Sequence, residues 1–348
     1  MWSPPDAMPA PGASRTGEPG LPGLDIIIVN WNSGPELSAC LASVQATARE
    51  RFRLGQIIVV DNGSTDGSLE NLPAVPARIS IVRNPKNRGF AAACNRGAAL
   101  GDSEYLLFLN PDTKLMSDSL QEPVRFMESA EHADVGVVGI QLIGDNGEIA
   151  RSCAREPRPG LFVSKMLGLD QLAPRWFPSL IVNEWDHRDS RPVDHVIGAF
   201  YLVRRRLWEA LAGFDERFFV YLEDLDFSTR ARAAGWQIYY LSRVRAFHRG
   251  GGASAAIKPA RVCLSLHSRI RFGYKHFRWW TGTALLLGTL FLEPIARLSR
   301  ALARLDLPQA RDTVESCYLI WRWLLLGTPP NLEDEPSALV PVTGPRHG

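Results

Sequence analysis

Three short, almost unbroken apolar runs each end on a cluster of Asn and Asp, and this repeat constrains the chain more than any other feature. Asp25-Ile-Ile-Ile-Val29 leads into Asn30-Trp-Asn-Ser-Gly34. Gln56-Ile-Ile-Val-Val60 leads into Asp61-Asn-Gly-Ser-Thr-Asp-Gly67, and Tyr105-Leu-Leu-Phe-Leu109 into Asn110-Pro-Asp-Thr113. Runs of this length, apolar at successive positions, fit strands covered on both faces. Helical stretches separate them: Glu36 to Arg49 sets Leu37, Leu41 and Val44 on one side, and Gly89 to Leu100 is rich in Ala. Ile79 to Val82 makes a further strand. Such alternation predicts an α/β fold with a Rossmann-like, mostly parallel central sheet flanked by helices. Ligands of these sheets bind beyond the carboxyl ends of the strands, so the three polar loops should meet in one crevice.

The pattern loosens after Val138. Gly144-Asp-Asn-Gly147 suggests a hairpin turn, and Pro157 to Asp189 reads as an irregular, acceptor-facing segment. His195 to Arg204 predicts one strand and Arg205 to Leu211 a short helix; beyond Gly252 the chain turns basic and helical. The Pro-, Gly- and Ala-rich start has no long apolar run and predicts a flexible tail rather than a secretory signal. The expected divisions are a tail at 1–23, a catalytic domain at 24–254, a helical extension at 255–330 and a second tail at 331–348. A formal net charge of +2 gives no reason to expect nucleic acid. Five scattered cysteines, with no CxxC, fit buried thiols in a reducing compartment better than zinc ligands or a disulfide framework.

Four clusters hold groups able to do chemistry. Asp61, at a strand end, can accept a hydrogen bond from the ring NH of uracil or thymine; equally, Asp66 and Ser64 suit the cap of a following helix. Asn110 and Asp112 place two oxygen-bearing side chains where one hard cation could meet both, although Asn-Pro is also a common turn. Asp215 to Asp226 sets acids among aromatics. A carboxylate in such a place can serve as a general base, while acids at a helix N-terminus, with Asp226 and Arg230 four apart, are the plainer alternative. His248, before Arg249-Gly-Gly-Gly-Ala-Ser254, could ligate metal beside a phosphate-approaching loop.

Taken in order, these segments resemble family 2 glycosyltransferases of the GT-A fold, and within it the bacterial rhamnosyltransferases of cell-surface glycan synthesis. The matching stretches are Ile27-Ile-Val-Asn-Trp-Asn-Ser33, Val59 to Gly67, Asn84 with Asn87 to Asn95, Leu109-Asn-Pro-Asp112, Gly198 to Arg204, Gly213 to Asp226, and His248. The resemblance implies an inverting, metal-dependent hexosyl transfer from a nucleotide sugar, with dTDP-rhamnose leading and UDP-linked sugars behind. The acceptor it implies is a hydroxyl of a glycan or a polyprenyl-diphosphate-linked saccharide. Asp61 would contact the base, and Asn30 and Asn32 the base and ribose. Asn62, Asn87, Arg88, Asn95, Asn110 and Gly198 would line the nucleotide sugar. Asp112, His248 and Asn110 would hold Mg2+ or Mn2+. Asp224 would be the catalytic base, with Glu223 as the other candidate. Asn110 departs from the family's Asp-x-Asp motif and leaves Asp112 to supply the carboxylate charge.

Near the end, Trp279 to Leu292 is apolar, is flanked by arginines and is interrupted by Glu293-Pro294. It falls short of the about 20 residues that span a bilayer. With a similar stretch at Tyr318 to Leu326 it suits helices lying on a membrane surface, placing the protein in the cytoplasm on the inner face of the cell membrane; packing on the catalytic domain or a dimer interface are the alternatives. A non-catalytic nucleotide-sugar-binding protein of the same fold is the competing function. A dehydrogenase is disfavoured because Asn-Trp-Asn-Ser stands where GxGxxG belongs.

Overall fold

The computed structural model describes residues 20–70, 72–73, 79–250, 258–327 and 329–330. Residues 1–19 and 331–348 of the expected tails, and 251–254 of the glycine-rich stretch after His248, lie outside the described residues. The first half runs β1 (Gly23–Asn30), α1 (Glu36–Gln45), β2 (Arg53–Asp61), β3 (Ile79–Arg83), α2 (Phe90–Ala98), β4 (Tyr105–Leu109), β5 (Thr113–Leu115), α3 (Gln121–Glu128) and β6 (Val135–Ile143). It continues with β7 (Cys153–Ala154), α4 (Pro159–Leu167), α5 (Leu169–Leu172), β8 (Arg191–Val193), β9 (His195–Val196), β10 (Phe200–Arg204), α6 (Arg205–Ala210), α7 (Glu223–Ala233) and β11 (Gln237–His248).

One sheet organises the chain, in the order β3-β2-β1-β4-β10-β6-β11-β5, with β8 against β11. β1 to β4 are mutually parallel; β10 is antiparallel to both β4 and β6, so β6 and β11 point the same way as β1. All eight residues of β1 and all five of β4 are buried, which the continuous apolar runs anticipate. One face packs Leu37, Leu41 and Val44 of α1 against Ile26 and Ile28. The other packs α2 and α7 against Ile27, Phe108 and Tyr201. Ala at 91 and 93 lets α2 lie close to the sheet.

Three expectations are corrected. The strand read over 195–204 is two: β9 pairs with β7 in a separate small sheet, and β10 joins the main one after a break at 197–199. The segment 157–189 is not wholly irregular, since it forms α4 and α5. No helix follows Asp66 directly: its carboxylate accepts from the backbone N–H groups of Gly34 (2.6 Å) and Ser68 (3.0 Å), tying two loops together. The Gly144–Gly147 turn is present, closed by the Gly144 N–H to Glu148 at 2.9 Å. All five cysteines are free thiols and four are buried.

Four helices complete the described chain: α8 (Lys258–His276), α9 (Trp279–Leu287), α10 (Glu293–Ala303) and α11 (Leu307–Leu326). Glu293 and Pro294 end the apolar run but not the helix. A π-helical turn at Gly288–Leu292 joins α9 to α10 directly, and the wider turn accommodates the hydrogen bond that proline cannot donate. Glu293 points inward, 1% exposed, and takes hydrogen bonds from Arg269 and, at 2.8 Å, from Arg297. Among the described residues no helix is long and apolar enough to cross a membrane.

The side chain that pins this arrangement is Asp25, fully buried at the start of β1. It accepts from Gln56 N (3.0 Å), Ser103 N (3.0 Å), Ser103 Oγ (2.9 Å) and Arg205 Nη2 (3.0 Å). Asp25→Ala would take the buried acid from the Arg205 guanidinium, leaving it the Ser103 and Ala98 carbonyls, and would orphan two backbone N–H groups. We expect a loss of about 3–5 kcal/mol in urea unfolding, the scale for breaking a buried ion pair from one side; a loss below about 1 kcal/mol would show that Arg205 finds another partner.

Candidate active site

The polar loops anticipated at three strand ends do gather on one edge of the sheet. Asn30 and Asp61 are register partners at the ends of β1 and β2. Leu109, just before Asn110, pairs with Ile28 of β1. His248 ends β11 and pairs with Thr113.

Asn30 is fully buried and works within the protein. Its Nδ2 faces Asp61 Oδ1 (2.9 Å), Ser64 Oγ (3.0 Å) and Ser68 Oγ (2.8 Å), and its Oδ1 accepts from Ser33. Asn30 therefore aims Asp61, whose carboxylate has no other protein hydrogen bond among the described residues. Asn32, at φ 48°, accepts from Thr65 N at 2.8 Å. Asn62 is the knot of the next loop: it donates to Asn87 Oδ1 (2.8 Å) and accepts from Asn84 Nδ2 (2.9 Å) and Arg88 N (3.0 Å). The Arg88 side chain is exposed and forms no hydrogen bond or ion pair among the described residues. Gly89 sits at φ 90°, where a Cβ would lie 2.5 Å from the Phe219 carbonyl, so the loop can pass there only as glycine. Asn95 spends both ends of its amide on the Phe214 backbone, at 2.8 and 2.9 Å. It fixes the start of the acidic segment rather than facing the crevice loops.

The metal candidates meet. His248 Nε2 lies 3.3 Å from Asp112 Oδ1 and 3.5 Å from Asn110 Nδ2. Burial works against the Asp112 charge. The hydrogen bond and charge of His248, with the N–H groups of Asp112 and Gly250, outweigh it and hold the carboxyl below its usual range. The spacing suits a small cation, since neighbouring ligands of an octahedral ion at about 2.1 Å stand about 3 Å apart. No third His, Cys, Asp or Glu joins the pair among the described residues. The remaining positions would fall to Asn110, water and donor oxygens, the mixture Mg2+ favours.

The acids divide. Asp224 Oδ2 accepts from Gly198 N and Oδ1 from Leu225 N, both at 2.8 Å. Burial first, then the charge of Asp224, raise the Glu223 carboxyl well above the usual carboxylate range, and its Oε2 is buried without a partner. Asp226, fully buried, is bound by Arg230 (2.8 Å), Lys275 (2.6 Å) and His276 (2.7 Å). Its role is structural, as the Asp226–Arg230 spacing suggests. Tyr221 and Leu222, immediately before, both have positive φ, a strained conformation for such residues.

One tripeptide connects the two halves. The Ala199 carbonyl accepts from Asn110 N at 3.1 Å, and its neighbour Gly198 donates to Asp224. Motif reading passes over His195, buried 3.7 Å from Asp224 and bonded to Ser228 at 2.9 Å. Burial lowers its pKa, so it stands there neutral. A separate hollow of about 520 Å3 beside Trp185, Arg191 and Trp236 lies near the opposite end of β11 and includes none of these groups.

Residues 25–209 match the family model described as Glycosyl transferase family 2. The chain is 26% identical over 275 residues to N-acetylglucosaminyl-diphospho-decaprenol L-rhamnosyltransferase of Mycobacterium tuberculosis, covering 74% of this chain and 86% of that one. It is 32% identical over 181 residues to rhamnosyltransferase WbbL of Escherichia coli, covering 51% and 59%. The structure is similar to the mannosyltransferase PcManGT from Pyrobaculum calidifontis in complex with GDP-Man and Mn2+. The TM-score is 0.50 and identity 18%, over 92% of this chain and 90% of that one, a likeness that speaks for the fold alone.

The Glu223 environment predicts a pH signature. The folded chain keeps a proton that the unfolded chain releases near 4.5, so the native state binds more protons above that pH. Stability should therefore fall as pH rises from there towards the folded pKa. Glu223→Gln should flatten this slope in urea midpoints measured from about pH 5 to about pH 8; equal slopes in both proteins would mean that Glu223 ionises in the native state.

Proposed function

The chain belongs to glycosyl transferase family 2, with the GT-A fold, and from that premise we propose that it transfers a sugar with inversion, in a single metal-assisted displacement, from dTDP-rhamnose to a hydroxyl of a polyprenyl-diphosphate-linked saccharide. The observation behind this reading is the tripeptide bridge, which holds Asp224 on one side and the Asn110–Asp112 loop on the other. A base and a diphosphate clamp need that fixed relation.

In this mechanism Asp61 takes the ring NH of the base while Asn30 holds its carboxylate in line. Asn32, Asn62 and Asn87 shape the loops beside the ribose and diphosphate, and Arg88 adds an unpaired cation near the phosphates. Asp112 and His248, beside Asn110, would hold Mg2+ or Mn2+, which would supply positive charge to offset that of a diphosphate. Asp224, held as an acceptor by two backbone N–H groups, removes the acceptor's hydroxyl proton. Glu223 keeps its proton and leaves Asp224 as the base. Rhamnose is favoured because both relatives are named rhamnosyltransferases; UDP-linked sugars remain the alternative in a donor panel.

A membrane surface completes the proposal. Trp280, Leu287, Phe291, Ile295 and Leu302 are all exposed and fall seven or four residues apart, making one stripe along α9 and α10. Leu307, Val314, Tyr318 and Leu325 do the same on α11. Exposed apolar stripes of this length mark an interaction surface, and a lipid-linked acceptor gives membrane the first claim. The flanking cations contribute less than their number implies, because Arg269, Arg297 and Lys275 are engaged with acids inside the protein.

Two outcomes follow. Asp224→Asn should lower turnover about a hundredfold or more with donor affinity nearly unchanged, whereas Glu223→Gln should stay within a few-fold of wild type; a reversed order would move the base to Glu223. Full-length protein should float with vesicles containing anionic lipid, and the triple variant Leu287→Ser, Phe291→Ser, Ile295→Ser should remain largely at the bottom of the gradient. Failure of the wild type to float would remove the membrane from the reading.

A further inference from the structure

A hollow of about 310 Å3 lies behind the acidic segment, between the loop at Asp215–Phe218 and helices α8 and α11. That volume is at the lower end of ligand clefts, about 300–1,000 Å3. Its floor is apolar: Phe218 is 1% exposed and Ile270 5%. Its rim is cationic, with Arg217, Arg271 and Lys275 against the single acid Asp215. Asp215 is already taken by Arg217 and Lys275, each at 2.6 Å. Arg271 has no hydrogen bond or ion pair among the described residues; burial first, and then the Arg217 charge, disfavour its own.

His267 closes one side of the same space. It is 6% exposed and has a buried Nδ1 with no partner. Its ring stacks on Trp323 at 3.6 Å, which fixes it. Arg271, a guanidinium with no acid of its own above an apolar floor, is the feature that suits an amphipathic anion. Leu324, on the rim, begins the exposed run Leu324 to Leu326, so the apolar floor continues outward to a greasy edge.

We infer that this hollow receives the anionic lipid end of the acceptor, a prenyl diphosphate, with Arg217 and Arg271 at the phosphates and Phe218 and Ile270 against the first isoprene units. The inference rests on the lipid-linked acceptor proposed above. The loop that forms the hollow's wall runs on through Val220 to Glu223 and Asp224, and Ser268 Oγ of α8 donates to the Val220 carbonyl at 2.8 Å. An occupant would thus sit against the loop that leads to Glu223 and Asp224.

The test uses full-length protein and farnesyl diphosphate, with tryptophan emission as the readout because Trp323 stacks on His267. Wild type should bind farnesyl diphosphate at least about tenfold more tightly than inorganic diphosphate, and Arg271→Glu should weaken farnesyl diphosphate about tenfold or more while Arg271→Lys retains most of the affinity. Equal affinity in wild type and Arg271→Glu would overturn the assignment. Inorganic diphosphate binding as tightly as the prenyl form would also overturn it, by removing the role of the apolar floor. Competition by phosphatidylglycerol vesicles as effective as by farnesyl diphosphate would make the site a membrane headgroup contact instead. A donor-hydrolysis assay on the wild type, run alongside, separates the premises: no release of nucleoside diphosphate from any donor would sink the transferase mechanism, whatever the lipid data show.

Discussion

The backbone break at 197–199 is the constraint on which the rest of the site depends. A continuous strand from His195 to Arg204 would direct every N–H and C=O there into the ladder. Because the chain leaves the small sheet at Val196 and enters the large one at Phe200, Gly198 N and Ala199 O are free to bond across the sheet edge. The first takes Asp224 and the second takes Asn110. Gly198 makes the approach close: a Cβ there would lie 3.2 Å from Asp224 Oδ2, so the carboxylate would have to give by a few tenths of an ångström. The cost reappears at Tyr221 and Leu222, both left-handed, and is offset by burial of Phe218 and Leu225 in a core shared with Phe272 and Leu285.

That shared core makes the C-terminal helices part of the site rather than an appendage. Lys275 and His276 of α8 reach Asp226 on α7, and Lys275 also holds Asp215 at the start of the acidic loop. Both ends of the segment leading to Glu223 and Asp224 are therefore clamped by one helix. With its inner face committed to these contacts, α8 supports an outer layer, α9 to α11, whose apolar stripes face away from the protein.

The β1–β4 half of the fold was legible in the sequence because it is locally consistent. β1, β2 and β4 are buried on both faces, so burial alone writes an apolar run, and the polar loops that follow have no other place than the sheet edge. The other half was not. β6 and β11 went unread, because β11 alternates buried and exposed positions irregularly and its register slips between Leu241 and Arg245. Periodicity could not find the break at 198 either, since β9 and β10 are both apolar and differ only in partner. Glu293-Pro294 looked like an interruption because a π turn has no sequence signature. At the site, Asp61, Asp112 and His248 were recognisable by type and order. The partners of the acidic segment were not, because His195, Lys275 and His276 meet Asp224, Asp215 and Asp226 only through tertiary packing.

Three acids stand within four residues, and the fold gives each a different fate. Asp226 is bound by Arg230 of its own helix and by Lys275 and His276 of α8; against burial, the His276 hydrogen bond and the Arg230 and Lys275 charges hold its carboxyl low, so it is ionised and spent. Glu223 points into protein with an unpartnered oxygen, and desolvation leaves it protonated. Asp224 lies between them in sequence but faces the sheet edge, where Gly198 and Leu225 supply hydrogen bonds that only an acceptor can use. Side chains one apart on a helix diverge by about 100°, from 3.6 residues per turn, so adjacent acids sample unlike surroundings. Separating a proton-holding acid from a proton-accepting one by environment is how a site with like residues assigns roles. Here the neutral Glu223 matters as much as Asp224. Were Glu223 also ionised, two adjacent carboxylates would repel, and that repulsion, after burial, is what keeps the Glu223 carboxyl high.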